Sequence, residues 1–431
     1  MRLKQFLICS SSAIALISFG PVAFAGAVTS KEEIAISTTG GGIKIKSDNG
    51  NTFQFGGFIQ YDFDSYDGAY NAGTADPADI GNSANESEWR RTRITAKGSR
   101  GKNWAYDFTI DIDDDAEEAS VDAASIRYKG FNNTELILGR LKTPFSLEEL
   151  TSDKWVSTIE RAAIYEVGNF LSGKPDFQFA VHGNWDNLSA QLHFIDEGEE
   201  DDDSSDAFSL AARIANRFLI GNQETKTHFA HLGIAYAARD FGNEGSSMDF
   251  RSRLTAHTIG DRPTAGNDVV VKNADQFGLE AAYVNGPFSL QGEYLTADFD
   301  GENSGPDVDV DGFYALVTYM LTGESRGYKT SNSKFDKPKP KNNLGAWELV
   351  AKYEDGEVDI DSQANEAEYD ILTLGVNWYP NTNLRFSLNY LMTETDNFQF
   401  GGSGGGLTNP TLESLGEDDG DAVSFRAQYA F

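Results

Sequence analysis

The run Glu88-Trp-Arg-Arg-Thr-Arg93 sets three guanidinium groups within four positions. A guanidinium is planar, permanently charged and forked, so its donors match two oxygens of a carboxylate or phosphate at once. On a strand, Arg91 and Arg93 share a face because side chains alternate with period two. Arg90 joins them only through a bulge or at the strand's end. Arg251 and Arg253 repeat the one-residue gap. Two uses compete for such groups: holding a free anion, or neutralising carboxylates in a crowded polar interior. Alternation places Asp62, Asp64, Asp107, Asp111, Glu280 and Glu293 on the polar faces of their own strands.

Catalysis and metal binding have little footing. His182, His193, His228, His231 and His257 show no metal-ligand spacing, and no motif joins one of them to a serine nucleophile. Asp307-Val-Asp-Val-Asp-Gly312 begins like a calcium loop, but Thr318 stands where the closing glutamate belongs. No catalytic residue, metal site or cofactor is expected.

The elements that must position these residues are strands. In the final segment Val423, Phe425, Ala427, Tyr429 and Phe431 make one apolar face, and Ser424, Arg426, Gln428 and Ala430 the other. A strand closing on an aromatic resembles the C-terminal signal of bacterial outer-membrane β-barrels. The pattern recurs in Ile59, Tyr61 and Phe63 against Gln60, Asp62 and Asp64, and in Trp347, Leu349, Ala351 and Tyr353 against Glu348, Val350, Lys352 and Glu354. A soluble sandwich also alternates. The number of segments and an aromatic content of 12% favour a barrel. Asn285-Gly286 and Asn381-Thr382-Asn383 mark tight turns. About seventeen segments qualify as strands, including one starting near residue 247. Single-chain barrels have an even number, so about sixteen is expected. The fold class is all-β, a transmembrane antiparallel β-barrel.

Residues 144–168 break the pattern. Leu147, Leu150, Trp155, Ile159 and Ala163 fall at roughly helical spacing, and Ser146 with Glu149 looks like a capping box. A loop entering a short helix is expected there.

Residues 1–25 read as a secretory signal peptide: Arg2 and Lys4, an apolar stretch over 6–20, then Ala23-Phe24-Ala25 before Gly26. Cys9, the one cysteine, lies inside it, so the mature chain would carry neither thiol nor disulfide. Residues 26–50 read as a small periplasmic extension or plug, and 51–431 as the barrel. No apolar run reaches the roughly 18 residues of a membrane helix. With 67 acidic against 35 basic residues the formal charge is −32, which argues against nucleic acid as a partner. Residues 196–206 hold eight acidic residues in eleven and read as a solvated outer loop, with divalent-cation bridging to lipopolysaccharide a minor alternative. Lys329, Lys334, Lys337, Lys339 and Lys341 form the one basic cluster, suited to drawing anions to a mouth or to lipid headgroups.

The arginine run, followed by Trp104-Ala-Tyr-Asp-Phe108, Val121-Asp-Ala-Ala-Ser-Ile-Arg-Tyr128, Leu138-Gly-Arg-Leu-Lys-Thr-Pro-Phe-Ser-Leu-Glu-Glu-Leu150 and Glu160-Arg161, resembles the phosphate-selective porin family of Gram-negative outer membranes. Phe250-Arg-Ser-Arg253, Gly278-Leu-Glu-Ala-Ala-Tyr-Val284, Leu321-Thr-Gly-Glu-Ser-Arg326 and Gly345-Ala-Trp-Glu-Leu349 extend the resemblance over nearly the whole mature chain. It implies a sixteen-stranded barrel, usually a homotrimer, whose loop at 144–168 folds inward and constricts the channel. It implies passive diffusion of small anions, including phosphate, polyphosphate and chloride, across the outer membrane, with the barrel set among lipid and lipopolysaccharide. It assigns anion binding to Arg90, Arg91, Arg93, Arg251 and Arg253, and the constriction lysine to Lys154, with Lys142 and Arg161 flanking the loop. Phe58 departs from the family, in which a basic residue is common at that place on the first strand. A general or cation-preferring porin is the alternative with the same architecture. A barrel enzyme would need a catalytic set that no motif supplies, and an adhesin or structural barrel whose loops bind a partner is a rival of another class.

Overall fold

Period two decides what each side of a strand meets, and the structure, a computed structural model, shows both sides. It describes residues 34–38, 42–71, 81–113, 118–171, 174–175, 177–197, 207–221, 226–259, 262–303, 305–399 and 418–431. The expected signal peptide and most of the acidic loop at 196–206 lie outside them. On Asp419–Ala430, Val423, Phe425 and Tyr429 are 37–45% exposed, whereas Ser424, Arg426 and Gln428 are at most 2% exposed. Arg213, Arg385 and Arg426 are among the largest fully buried side chains. Oily outside and polar inside reverses a water-soluble sandwich and suits a hydrocarbon surround.

Sixteen strands form the closed antiparallel barrel. The last, Asp419–Ala430, bonds to the first, Thr52–Gly68, with Arg426 opposite Asp62. Gly57 and Phe431 exchange backbone bonds of 2.9 and 3.0 Å across this seam. The segment expected near 247 is Ser246–Arg251, and it adds no place to the barrel. It continues the position of His228–Asp240 alongside one long strand, Thr264–Asn285. That long strand and Gly81–Arg100 begin well before the positions where alternation first shows. Their early residues stand beyond the apolar belt, where nothing forces an oily face. A hairpin of Ile34–Ser37 and Ile43–Ser47 pairs onto the start of the first strand.

Toward the long-loop end the polarity inverts. Phe299, Val308, Val310, Val358 and Ile360 point inward and are buried, while Asp298, Asp309, Asp355 and Asp359 sit on the outer face. Here the strands behave as a soluble sheet does, so this end stands in water. The inner apolar side packs against two loops folded into the barrel. Ile164 and Phe170 come from one, and Leu254 and Ile259 from the other. From the short-turn end, a hairpin of Gly327–Lys329 and Lys334–Asp336 also enters. Arg213 donates to its Asn332 and Ser333 carbonyls at 3.0 and 2.8 Å. Lys334 thus lies inside the barrel and donates to the Leu150 carbonyl at 2.8 Å.

The inward loop carries two four-residue helices, Leu147–Leu150 and Ile164–Val167, with turns between them. The helical spacing through Trp155 and Ile159 therefore does not mark a helix. Wall side chains take the backbone groups that a helix would have paired internally: Arg385 donates to the Ser157 and Thr158 carbonyls and Arg426 to that of Ile159. The cap at Ser146 is as expected, its Oγ accepting from the Glu149 amide at 3.1 Å.

Candidate functional site

A single irregularity arranges the arginine run. Gln60 pairs with Arg91, but two residues on Asp62 pairs with Glu88, so Gly81–Arg100 carries one extra residue at this point. Trp89 turns outward against Tyr61, with ring centroids 5.1 Å apart. Arg90 and Arg91 both remain inside, and Arg93 resumes the inward face. Arg90 Nε lies 3.0 Å from Glu160 Oε1. Arg91 donates to Gln60 Oε1 at 3.0 Å and approaches Glu160 at 3.6 Å and Asp153 at 3.9 Å. Arg93 meets Asp111 at 2.6 Å, Asp122 at 3.1 Å and Asp153.

The inward loop supplies the other half. Lys142 pairs with Glu149 at 3.1 Å and Asp153 at 3.4 Å, and Arg161 pairs with the same two carboxylates. Burial opposes the charge on Asp153, yet Lys142, Arg161, Arg91 and Arg93 hold its carboxyl well below the usual range. Burial likewise opposes Glu160, and Arg90, Arg91 and Arg426 outweigh it. Lys154 rests on an aromatic ring instead. Its Nζ sits 4.7 Å from the centroid of the Phe58 ring, and no carboxylate among the described residues forms an ion pair with it. Burial, reinforced by Lys97, pushes its ammonium down to about 8.

Arg90, Arg91, Arg161 and Arg253 line one polar cavity of about 290 Å³, with Glu160, Glu166, Tyr165 and His257. Arg253 reaches it from the second inward loop, paired with Glu166 at 2.8 Å. Arg251 does not join them. It ends Ser246–Arg251 half-exposed, 3.1 Å from Asp249. Four of the eight expected residues therefore share a cavity. Arg93 and Lys142 adjoin it through Asp153, and Lys154 shares the Phe58 ring with Arg93, whose guanidinium carbon is 5.7 Å from the centroid.

Residues 53–431 match the family described as phosphate-selective porin O and P. The chain belongs to that family. It is similar to porin O of Pseudomonas aeruginosa, at 32% identity over 98% of each chain. A protein of Caulobacter vibrioides described as uncharacterized is 27% identical over 70% of this chain and 62% of its own. Among solved structures, OmpT of Vibrio cholerae superposes with a TM-score of 0.57 at 14% identity, covering 90% of this chain and 99% of its own. The anion-selective porin of Comamonas acidovorans gives 0.56 at 14% identity, covering 88% and 100%. These two share the fold. The chain is an outer-membrane porin.

The porin's lumen contains partners that spacing alone did not single out. Glu160 lies in a quoted motif and Asp153 between two of them, but the wall arginines Arg90 and Arg93 that they meet are 70 and 60 positions away. Arg426 joins Asp62 to Glu160 across the seam. Asp62, Asp111 and Glu280 face the lumen as alternation requires, and each is engaged by an arginine. His182 and His193 also face each other there, with Nε2 atoms 2.7 Å apart.

Proposed function

We propose that this porin passes small anions of the phosphate class across the outer membrane by passive diffusion, guided by Arg90, Arg91, Arg161 and Arg253 and gated at Lys154. The observation carrying this reading is the convergence of four arginines on one lumenal cavity beside an inward loop whose lysine forms no ion pair with a carboxylate among the described residues. An anion entering a narrow channel loses hydration, and fixed guanidinium and ammonium groups replace part of it. On this reading residues 144–168 are the constriction. Residues 1–25 are removed on export, residues 26–50 lie at the periplasmic end, and three copies assemble among lipid and lipopolysaccharide. Residues 329–341 then lie toward the periplasm.

A general or cation-preferring porin is the second reading, favoured by the carboxylate partner beside each of those arginines. The deciding experiment is phosphate block of chloride current through the purified protein in a planar bilayer. The proposal expects phosphate to block, and Lys154→Glu to weaken the block by at least about tenfold. Chloride current indifferent to phosphate would favour the second reading.

A further inference from the structure

His182 and His193 are 11 positions apart, on the adjacent strands Phe177–Trp185 and Leu188–Asp196, and the turn between those strands brings their rings together. A hairpin leaves no ligand spacing of the helical kind in the sequence. Their Nε2 atoms are 2.7 Å apart, with ring planes 20° from parallel. Both rings are on the lumenal side of the wall and buried. The outer nitrogens face acceptors. Gln178 donates through Nε2 to the Leu141 carbonyl, so its Oε1 is the atom that meets His193 Nδ1, at 2.7 Å. That acceptor keeps a proton on Nδ1, and His193 Nε2 turns a lone pair toward His182. His182 Nδ1 lies 3.7 Å from Glu135 Oε1. A proton on His182 Nδ1 answers the carboxylate but sets two lone pairs against each other. A proton on its Nε2 answers His193 but turns a lone pair on the carboxylate. A cation at the Nε2 atoms removes both conflicts. A second proton on His182 is costly in this buried place, where Arg127 and Lys129 share Glu135 at 3.4 and 3.8 Å.

We propose that His182 and His193 bind one divalent transition metal of the copper(II) kind through their Nε2 atoms. Neutral imidazole is the commonest protein ligand of such metals, and copper(II) heads their order of affinity. A metal-bound imidazole gives its other nitrogen to a carboxylate or carbonyl oxygen, the arrangement that Glu135 and Gln178 provide. Copper(II) favours ligands near right angles, which with bonds of about 2.0 Å sets two nitrogens about 2.8 Å apart. The observed 2.7 Å is close to that separation, and a tilt of the rings aims both lone pairs at one point. On the same two strands Gln191 stands opposite His182, and Ser189 opposite Asn184. Gln191 Oε1, Ser189 Oγ and Asn184 Oδ1 are buried without a hydrogen-bond partner among the described residues. Oxygens so placed suit the waters that complete a two-imidazole site. The metal adds two positive charges to the lumen wall. The proposal does not depend on which anion the porin passes. His228 bonds to Tyr283, His231 to Glu280 and Tyr328, and His257 to Glu88, so none of these forms a second such pair.

The test titrates the purified porin with copper(II) chloride in excess magnesium chloride, which occupies exposed carboxylates. Wild type should bind one copper per chain, with an electron paramagnetic resonance signal split by two imidazole nitrogens. His182→Gln and His193→Gln should each weaken binding at least about tenfold and lose that two-nitrogen splitting. His228→Gln should bind as wild type does. Single-channel current shows whether each variant is folded, and the wild-type signal decides the question even where one is not. Copper should also move the zero-current potential toward anion selectivity in wild type, and leave it in place in His182→Gln and His193→Gln. Copper bound without two-nitrogen splitting, or bound as tightly by both of those variants, overturns the proposal and leaves the histidines as a pair sharing a proton. A cation-selective wild type would contradict the anion reading above instead, and the copper titration would still decide this site.

Discussion

Lys154 and Asp153 are chain neighbours that solve opposite electrostatic problems. The aspartate gathers four cations, while the lysine rests its charge on an aromatic face in a half-buried position. Because burial and Lys97 lower the Lys154 ammonium to about 8, its charge is lost close to neutral pH. Raising the pH through that value should reduce anion preference, since the protonated form lies below it. Lys154→Gln should hold at every pH the reduced preference that wild type reaches only above that value, with no such titration. Zero-current potentials measured across this range check both outcomes, and a wild type whose preference is flat there would count against Lys154 as the gating cation. Spacing alone put Arg91 and Arg93 on one face and stated the condition for Arg90. It could not supply the bulge, which depends on the register with a neighbouring strand. Nor could it pair Arg93 with Asp153, because tertiary ion pairs leave no local periodicity.

The inward loop, the constriction in the function proposed above, is anchored by a glutamate of the barrel wall. Glu293 accepts the Leu147 and Glu148 amides at 2.9 and 2.7 Å, and the hydroxyls of Tyr165 and Tyr314. These amides open the helix Leu147–Leu150, where a carboxylate is favourable. Glu293→Ala leaves buried donors without an acceptor, at a cost of about 2 kcal/mol or more. The variant should unfold at a lower temperature and show larger, noisier single-channel current as the loop loosens. A variant as stable and as quiet as wild type would remove Glu293 from this role. The capping pair Ser146 and Glu149 was legible because a cap is local. The turns beyond it were not, since wall arginines rather than the loop's own sequence satisfy those carbonyls.

Across the whole molecule, the strongly acidic charge and the cationic cavity are reconciled by geography. Carboxylates such as Asp298, Asp309, Asp355 and Asp359 decorate the outer face near the long-loop end, where the sheet stands in water. Inside, Asp62, Asp111 and Glu280 are matched by arginines, while Glu293 is held by amides and hydroxyls. Net charge therefore says little about the sign of the channel's selectivity. The barrel was legible because a closed sheet in hydrocarbon must alternate along nearly every strand, and Ala422–Ala430 faces Phe58–Tyr66 as closure demands. The inversion of that alternation beyond the apolar belt was hidden, because inward apolar residues there answer to loops from distant sequence. The central claim, that fixed lumenal cations outweigh the matched carboxylates, is tested most directly by the zero-current potential of the purified porin under a potassium chloride gradient. An anion-selective sign is the expected result. A cation-selective sign would contradict it.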